Sequence, residues 1–504
     1  MNNSLRLHSG DNIVLALRDL PSGSDLNTLS VPVVDDIPRG HKIASAHIAK
    51  GAPVLRFGQV IGQALRDIAV GEHVHSHNLG MSSRGNTDPV AVEFVPDRHI
   101  PAPLEFLGYR RSTGRVGTRN YIGIITTVNC SGSVARFIAE EAAKSGFADD
   151  FANIDGIVPI VHSSGCGMSD QGEGFDTLLR TLMGYTQHPN FGGILLLGLG
   201  CEVMQVAQLA GERSADLGET LRFMTIQGEH GTKATIERAI AELREIAAIA
   251  DQARRSPVPV SEITLGLQCG GSDSYSGISA NPALGHAADL LVHQGATVVL
   301  SETPEIFGAE HLLLRRAAAG NIRDDLVERL EWWEEYLKRN GAEMNNNPSP
   351  GNKKGGLTTI LEKSLGAVAK AGSTSLNGVF KFGEKIDCAG LVFMDSPGYD
   401  PCSVTGQIAS GANLIAFTTG RGSVSGYQPT PCLKIASNTE MYARMVDDMD
   451  VNCGDVISDG VSLEQKGQEL FAALLQIASG QRTKSELQGF GGVEFVPWQI
   501  GATL

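Results

Sequence analysis

Four cysteines stand at one kind of place in this chain. Cys130 follows the apolar run GIITTVN, and Cys166 follows DGIVPIVHSSG with His162 four residues before it. Cys201 follows ILLLGLG and precedes Glu202, while Cys269 follows ITLGLQ with Asp273 four residues on. An apolar run that ends in a polar turn reads as a strand delivering a thiol at its carboxyl end. A single cysteine of this kind is most often a small core residue. Four at equivalent positions, each beside a polar or acidic neighbour, make a set. Thiolate, imidazole and carboxylate together suit an ion such as iron, manganese or zinc. The expected metal ligands are Cys130, Cys166, Cys201, Glu202, Cys269 and Asp273, with His162 beside them. No Cys-x-x-Cys pair occurs, which disfavours a zinc knuckle or a ferredoxin-type cluster.

A second set is rich in histidine. In GEHVHSHN the alternation of a strand sends His73, His75 and His77 to one face, where they could hold a metal or an anionic ligand. A solvated strand face is the plain alternative. His41 and Lys42 of RGHK fall in the same stretch. Three loops carry donors suited to an anion: RVGTRN with Arg119 and Asn120, NNPSPGNKKGG with Asn352, Lys353 and Lys354, and FTTGRGSVSG with Arg421. Ser272, after Gly270 and Gly271, adds a hydroxyl. The dinucleotide fingerprint, the Walker loop and the G-x-S-x-G elbow are all missing. The polar groups suit an anionic polyol better than a nucleotide.

Something must position these groups. At 504 residues the chain exceeds one hydrophobic core, so several domains are expected. A net charge of -15 without a Lys/Arg block argues against nucleic acid as a partner. The lack of any run of about 18 apolar residues argues against a membrane span. With no apolar leader the expected location is cytoplasmic, so the eight cysteines are not read as a disulfide framework. Between Leu5 and Asn78 short β-type runs alternate with turn signals, which predicts a small all-β domain. After a Gly-, Ser- and Pro-containing linker, apolar strands alternate with helical patterns. That texture predicts an α/β core on a parallel sheet covered on both faces, with ligands bound beyond the carboxyl ends of the strands.

The blocks LQCGGSDSYSGISANPALG, NPSPGNKKGG, GLGCE, HPNFGG, SETPEIFGAE and FTTGRG resemble the altronate and galactarate dehydratase family. The runs DNIVLALRDL, IPRGHKIA, FGQVIGQAL and GEHVHSHN resemble the SAF (β-clip) domain which that family carries in front. The resemblance implies an α/β multidomain protein: an all-β SAF domain over residues 1–80, a linker over 81–105, a middle α/β dimerisation domain over 106–258, and a catalytic domain over 259–504 with a Rossmann-like parallel sheet. It implies a lyase that removes water from a sugar acid, activated by Fe(2+) or Mn(2+), working as a homodimer. GEHVHSHN and EIFGAE resemble the altronate branch, for which the reaction is D-altronate to 2-dehydro-3-deoxy-D-gluconate. The segment GCGMSDQGEGFDTL departs from the altronate pattern, which leaves galactarate dehydratase and sulfolactate sulfo-lyase as alternatives. A sugar-acid binding module and an iron–sulfur redox protein are the alternatives from other classes.

For such a reaction the expected base is His75 or His162, ahead of Lys353. Lys353, Lys354, Arg119 and Arg421 are expected to hold the substrate carboxylate, and Glu302 and Glu305 are second choices for the metal. His41, Lys42, His73, His77, Asn120, Ser272 and Asn352 complete the expected substrate contacts.

Overall fold

The computed structural model describes residues 3–26, 32–82, 103–210, 218–501 and 503. Most of the linker expected at 81–105 lies outside the described residues.

The amino-terminal segment is all-β. Its strands are β1 (Ser4–Leu5), β2 (Ile13–Ala16), β3 (Lys42–Ala44), β4 (Pro53–Arg56), β5 (Gln59–Ala64), β6 (His73–Val74) and β7 (Leu79–Gly80). They form two small antiparallel sheets, in the orders β1-β2-β3-β6 and β4-β5-β7. Val14, Ala16, Leu20, Ile37 and Ile43 pack into a core of their own. The histidine-bearing strand is shorter than its alternation predicts. It ends at Val74 because Asn78 accepts from His75 N at 2.9 Å and donates to His73 O at 2.8 Å, folding residues 75–78 into a turn.

The middle segment contains β8 (Glu105–Arg110), β9 (Val116–Gly117), β10 (Tyr121–Thr126), β11 (Gly156–Ile160), β12 (Phe191–Gly198), β13 (Leu221–Thr225) and β14 (Ser256–Pro259). Four of these make a parallel sheet in the order β11-β10-β12-β13. Its helices are α1 (Gly132–Lys144), α2 (Glu173–Thr186) and α3 (Thr232–Ala250). Ile138 of α1 and Leu243 and Ile246 of α3 bury against Ile122, Ile124, Leu195 and Leu197 on one face. Leu178 and Leu182 of α2 cover Ile125 and Leu196 on the other. Strands apolar on both faces need this double cover, which explains their unbroken Ile/Leu runs.

The carboxyl-terminal segment is built on β15 (Thr264–Cys269), β16 (Thr297–Ser301), β17 (Leu376–Phe380), β18 (Gly390–Met394), β19 (Leu414–Thr419), β20 (Cys432–Ala436) and β21 (Val451–Asn452). All seven run parallel, in the order β17-β18-β16-β15-β19-β20-β21. The helices used below are α4 (Ala280–His293), α5 (Gly320–Arg339), α6 (Pro350–Lys354), α7 (Ile360–Val368), α8 (Asp400–Ser410) and α9 (Leu463–Ala478). Leu284 and Leu291 of α4 and Leu470 and Leu474 of α9 bury against Leu265, Val298 and Leu414. Val299, Val392 and Met394 face the other way, against Trp333 of α5 and Trp498. From β15 the chain builds outward to β16 and later returns to place β19 on the opposite side. The strand order therefore reverses between β15 and β19, where a parallel sheet opens a crevice at its carboxyl edge. Among the described residues no helix is long and apolar enough to cross a membrane.

Candidate active site

Cys269 ends β15 at that crevice, and the groups around it are charged and buried. Lys370 Nζ donates to Cys269 Sγ at 2.8 Å, and the thiol donates to Glu305 Oε2 at 3.5 Å. Lys363 Nζ reaches Glu305 Oε1 at 2.5 Å and Asn347 Oδ1 at 2.6 Å. Glu302 Oε2 lies 3.9 Å from Lys370 Nζ, and neither Glu302 oxygen has a hydrogen-bond partner. Burial pushes the Cys269 thiol up to about 12, and burial with neighbouring Glu305 raises the Glu302 carboxyl well above its usual range. Burial alone would raise Glu305 too, but Lys363 and Lys370 hold it below its ordinary value. Glu302 also carries φ of 74°, a left-handed backbone that a non-glycine residue seldom adopts. Its N–H is held by Ser396 Oγ at 3.0 Å. Strain retained on a buried carboxylate is typical of functional positions.

Cys269, Glu302 and Glu305 each offer a ligand atom, and these atoms lie within 4.8 Å of one another. A fully buried carboxylate with two unpartnered oxygens demands a cation or a proton. The donor set, one sulfur and two carboxylates, suits iron or manganese. The residues present therefore fit a divalent ion.

The β domain closes over this floor. Lys42 Nζ donates to Glu362 at 2.9 and 3.0 Å and to Gly356 O at 2.6 Å, while Arg56 reaches Glu362 at 2.5 Å and Ser274 O at 2.7 Å. All three charges are buried. Burial by itself would raise the Glu362 carboxyl, but Lys42 and Arg56 hold it down to about 2. Next to Lys42, His41 Nε2 lies 3.2 Å from Lys354 O and His75 Nε2 lies 2.9 Å from Lys353 O. A carbonyl can only accept, so both nitrogens donate. Neutral His41 then accepts at Nδ1 from His73 Nε2, 3.0 Å away, which leaves His73 Nδ1 with a bare lone pair. Burial and the neighbouring histidines depress His73 to about 3, and burial with Lys42 depresses His75 to about 4. The ring of His77 lies 5.4 Å from that of His73.

Floor and mouth adjoin through residues 269–272. Asn352 Nδ2 donates to Ser272 O at 2.8 Å, Ser274 N to Gly355 O at 3.0 Å and Gly420 N to Gly271 O at 3.2 Å. These bonds draw Ser272, the Asn352–Lys354 turn of α6 and exposed Arg421 to one crevice with the histidines. Gly270 is needed because a Cβ there would strike the Asp400 carboxylate and Phe417. Burial and Glu305 raise that Asp400 carboxyl to about 6.

Several expected site residues are engaged elsewhere. Arg119 spends its guanidinium on Glu486 at 2.6 and 2.9 Å and on the carbonyls of Thr118, Ile477 and Gln481, so it staples α9 to the middle segment. Asn120 is held by Asp155, Asn153 O, Ala250 O and Arg111. His162 donates from Nε2 to Thr126 O at 3.0 Å and accepts Ser164 N at Nδ1, and burial depresses it to about 4; no lone pair is left for a base. Asp273 accepts from Tyr275, Ser276, Ser437 and Asn438, which makes it the organiser of its turn. Lys42 is consumed by Glu362. Glu202 accepts from Thr127 Oγ1 and Gly200 N. Cys130, Cys166 and Cys201 lie on the middle sheet, so the thiols divide between two sheets. Sequence reasoning missed Arg56, Glu362, Lys363, Lys370 and Asp400. The signal for the lysines was there: Lys363 and Lys370 stand seven apart in a largely apolar segment that the structure buries.

A buried thiol, carboxylate and ammonium floor beneath neutral imidazoles and surface cations defines an enzyme that moves protons on an anionic small molecule. Residues 260–503 match the family model described as D-galactarate/Altronate dehydratase, C-terminal; residues 108–251 match D-galactarate dehydratase/Altronate hydrolase, second domain; residues 2–82 match the Altronate/galactarate dehydratase SAF domain. An altronate dehydratase of Bacillus subtilis (strain 168) is 35% identical over 100% of both chains. One of Escherichia coli (strain K12) is 36% identical over 99% of each. The galactarate dehydratase (L-threo-forming) of Escherichia coli (strain K12) is 35% identical over 95% of this chain and 93% of its own. The chain belongs to the D-galactarate/altronate dehydratase family, with a SAF domain at its amino terminus, and is a hydro-lyase.

Proposed function

We propose that this hydro-lyase converts D-altronate to 2-dehydro-3-deoxy-D-gluconate and water. The reading is carried by the similarity to two altronate dehydratases along the whole chain. Galactarate is the second reading, because a galactarate dehydratase is similar to the same degree. Lys354 and Arg421, at the mouth, take the substrate carboxylate. His73 removes the C2 proton at Nδ1, the nitrogen that the His41 relay leaves bare; His75 is less suited, since its Nδ1 contacts Ser76 Oγ at 3.1 Å. Lys363, whose ammonium is kept protonated by Glu305, delivers a proton to the departing C3 hydroxyl. A divalent ion, iron(II) or manganese(II), held by Cys269, Glu302 and Glu305 would supply Lewis acidity toward the enediolate charge. A cytoplasmic homodimer paired through the middle domain is part of the same reading.

Turnover of altronate, galactarate and sulfolactate, assayed without oxygen and with added iron(II), tests the substrate. Altronate should lead in kcat/KM by at least about tenfold, a gap of about 1.4 kcal/mol in transition-state binding. A lead for galactarate moves the assignment to the second reading.

The base has its own test. His73→Gln should lower kcat by about 10² to 10⁴. Because His73 is depressed to about 3, it stays neutral well into acid. Activity should therefore hold through pH 6.5, where an ordinary histidine base would be half-protonated. A fall in kcat/KM centred at that ordinary value would remove His73 from the role.

A further inference from the structure

The centre on the carboxyl-terminal sheet leaves Cys130, Cys166 and Cys201 without a role. All three are exposed free thiols. Each lies in the loop at the carboxyl end of one of three adjacent parallel strands, β10, β11 and β12. The loops are tied together by their main chains. Asn129 N donates to Ser164 O at 3.0 Å, and the N–H groups of Val203 and Met204 both donate to Gly165 O at 3.1 Å. Gly165, at φ 95°, lies against the Thr127 carbonyl and Val128 Cα, where a side chain would collide. The loop after β11 thus crosses the end of β10 and meets the loop after β12.

Cys130 is one residue from Asn129, Cys166 one from Gly165 and Cys201 two from Val203, so the thiols ring one patch. The amino end of α1, beginning at Gly132, opens on the same loop and favours negative charge there. Gln227 Nε2 lies 3.5 Å from Cys201 Sγ. Exposed thiols contribute nothing to a core, so packing does not explain three of them here. Among the described residues these sulfurs do not form a group within 4.8 Å, as the ligands of one ion would. A polynuclear cluster, in which each iron takes its own thiolate, holds its ligands farther apart.

We propose that Cys130, Cys166 and Cys201 bind an iron–sulfur cluster of the four-iron, four-sulfide type, one thiolate to each of three irons, with the fourth iron open to an oxygen ligand. Two ferrous and two ferric ions assemble with four sulfides, and the three thiols release their protons as three iron–sulfur bonds form, so no electron is transferred. The missing Cys-x-x-Cys spacing argues only against a cluster held by one loop; here strand order brings the thiols together. This centre is separate from the one that carries the dehydratase reading.

Full-length protein, purified without oxygen and reconstituted with equal parts of ferrous and ferric iron and with sulfide, is expected to hold about four irons and four acid-labile sulfides per chain and to turn brown. Cys130→Ser, Cys166→Ser and Cys201→Ser should each lose most of the labile sulfide, while Cys388→Ser keeps it. In the unsubstituted protein, reconstitution should shield the three thiols from alkylation, a readout that does not depend on any variant folding. Iron without labile sulfide, a full cluster in the triple variant, or three thiols that alkylate as fast after reconstitution as before would each overturn the proposal. The readouts are sulfide, colour and alkylation, so failure to dehydrate every sugar acid would not touch it. Absence of the cluster would equally leave the dehydratase reading standing.

Discussion

Glu362→Gln should cost about 3–5 kcal/mol of stability and loosen the β domain from the sheet it covers. The substitution keeps the shape of the side chain but leaves the Lys42 ammonium and Arg56 guanidinium buried without a counter-charge. Removing one member of a desolvated ion group is far more damaging than the group's net worth suggests. The effect has a pH signature. The folded value of about 2 lies below the ordinary 4.5, so the carboxylate's contribution is complete above about pH 4.5 and is lost as pH falls toward 2. In urea unfolding, the gap between the natural protein and the variant should be widest near neutrality and narrow through that window. Equal stability at pH 7 would show that the triad does not fasten the domain.

Glu302→Gln and Cys269→Ser should each abolish tight binding of the divalent ion and lower kcat by about 10² to 10⁴, or about 3–5 kcal/mol of barrier. Both substitutions are close in volume, and Glu302 makes no side-chain hydrogen bond whose loss could unfold the site. Metal content after dialysis against a chelator reads binding directly, and kcat reads the chemistry. Glu302→Gln should also remove the burial cost and the repulsion from Glu305 that together keep the Glu302 carboxyl high, so that variant should be no less stable than the natural protein. Full metal stoichiometry with full turnover in both variants would place the ion elsewhere.

The sheet architecture was legible because fully buried strands leave uninterrupted apolar runs, as in ILLLGLG. The thiols could be placed at strand ends for the same reason. Their division between two sheets was not legible, since strand order is decided by long-range packing and no local pattern records it. Arg119 looked like a substrate ligand in RVGTRN, yet its partners Ile477, Gln481 and Glu486 lie more than 350 residues away. Only the fold reveals that its donors are spent. The histidines were found by their spacing, but the identity of the bare nitrogen rests on the carbonyls of Lys353 and Lys354, which carry no sequence signal at all. Lys363 and Lys370 left a legible signal, a seven-residue spacing, but nothing local tied it to Cys269, about a hundred residues earlier.

The apolar clusters disregard the borders that the family models draw. One runs from Val54 and Ile61 of the β domain through Leu365 and Val368 of α7 to Leu265 and Val298 of the carboxyl-terminal sheet. Another runs from Leu182 and Leu196 of the middle sheet to Ile408 and Ile415. In packing terms the three segments of this chain behave as one object. A methyl group gained at Ile61 is felt at Leu365, so drift in one segment constrains drift in the next. Divergence toward new sugar acids should then accumulate at the crevice rim, around Arg421, Lys354 and Ser272, rather than through exchange of whole domains.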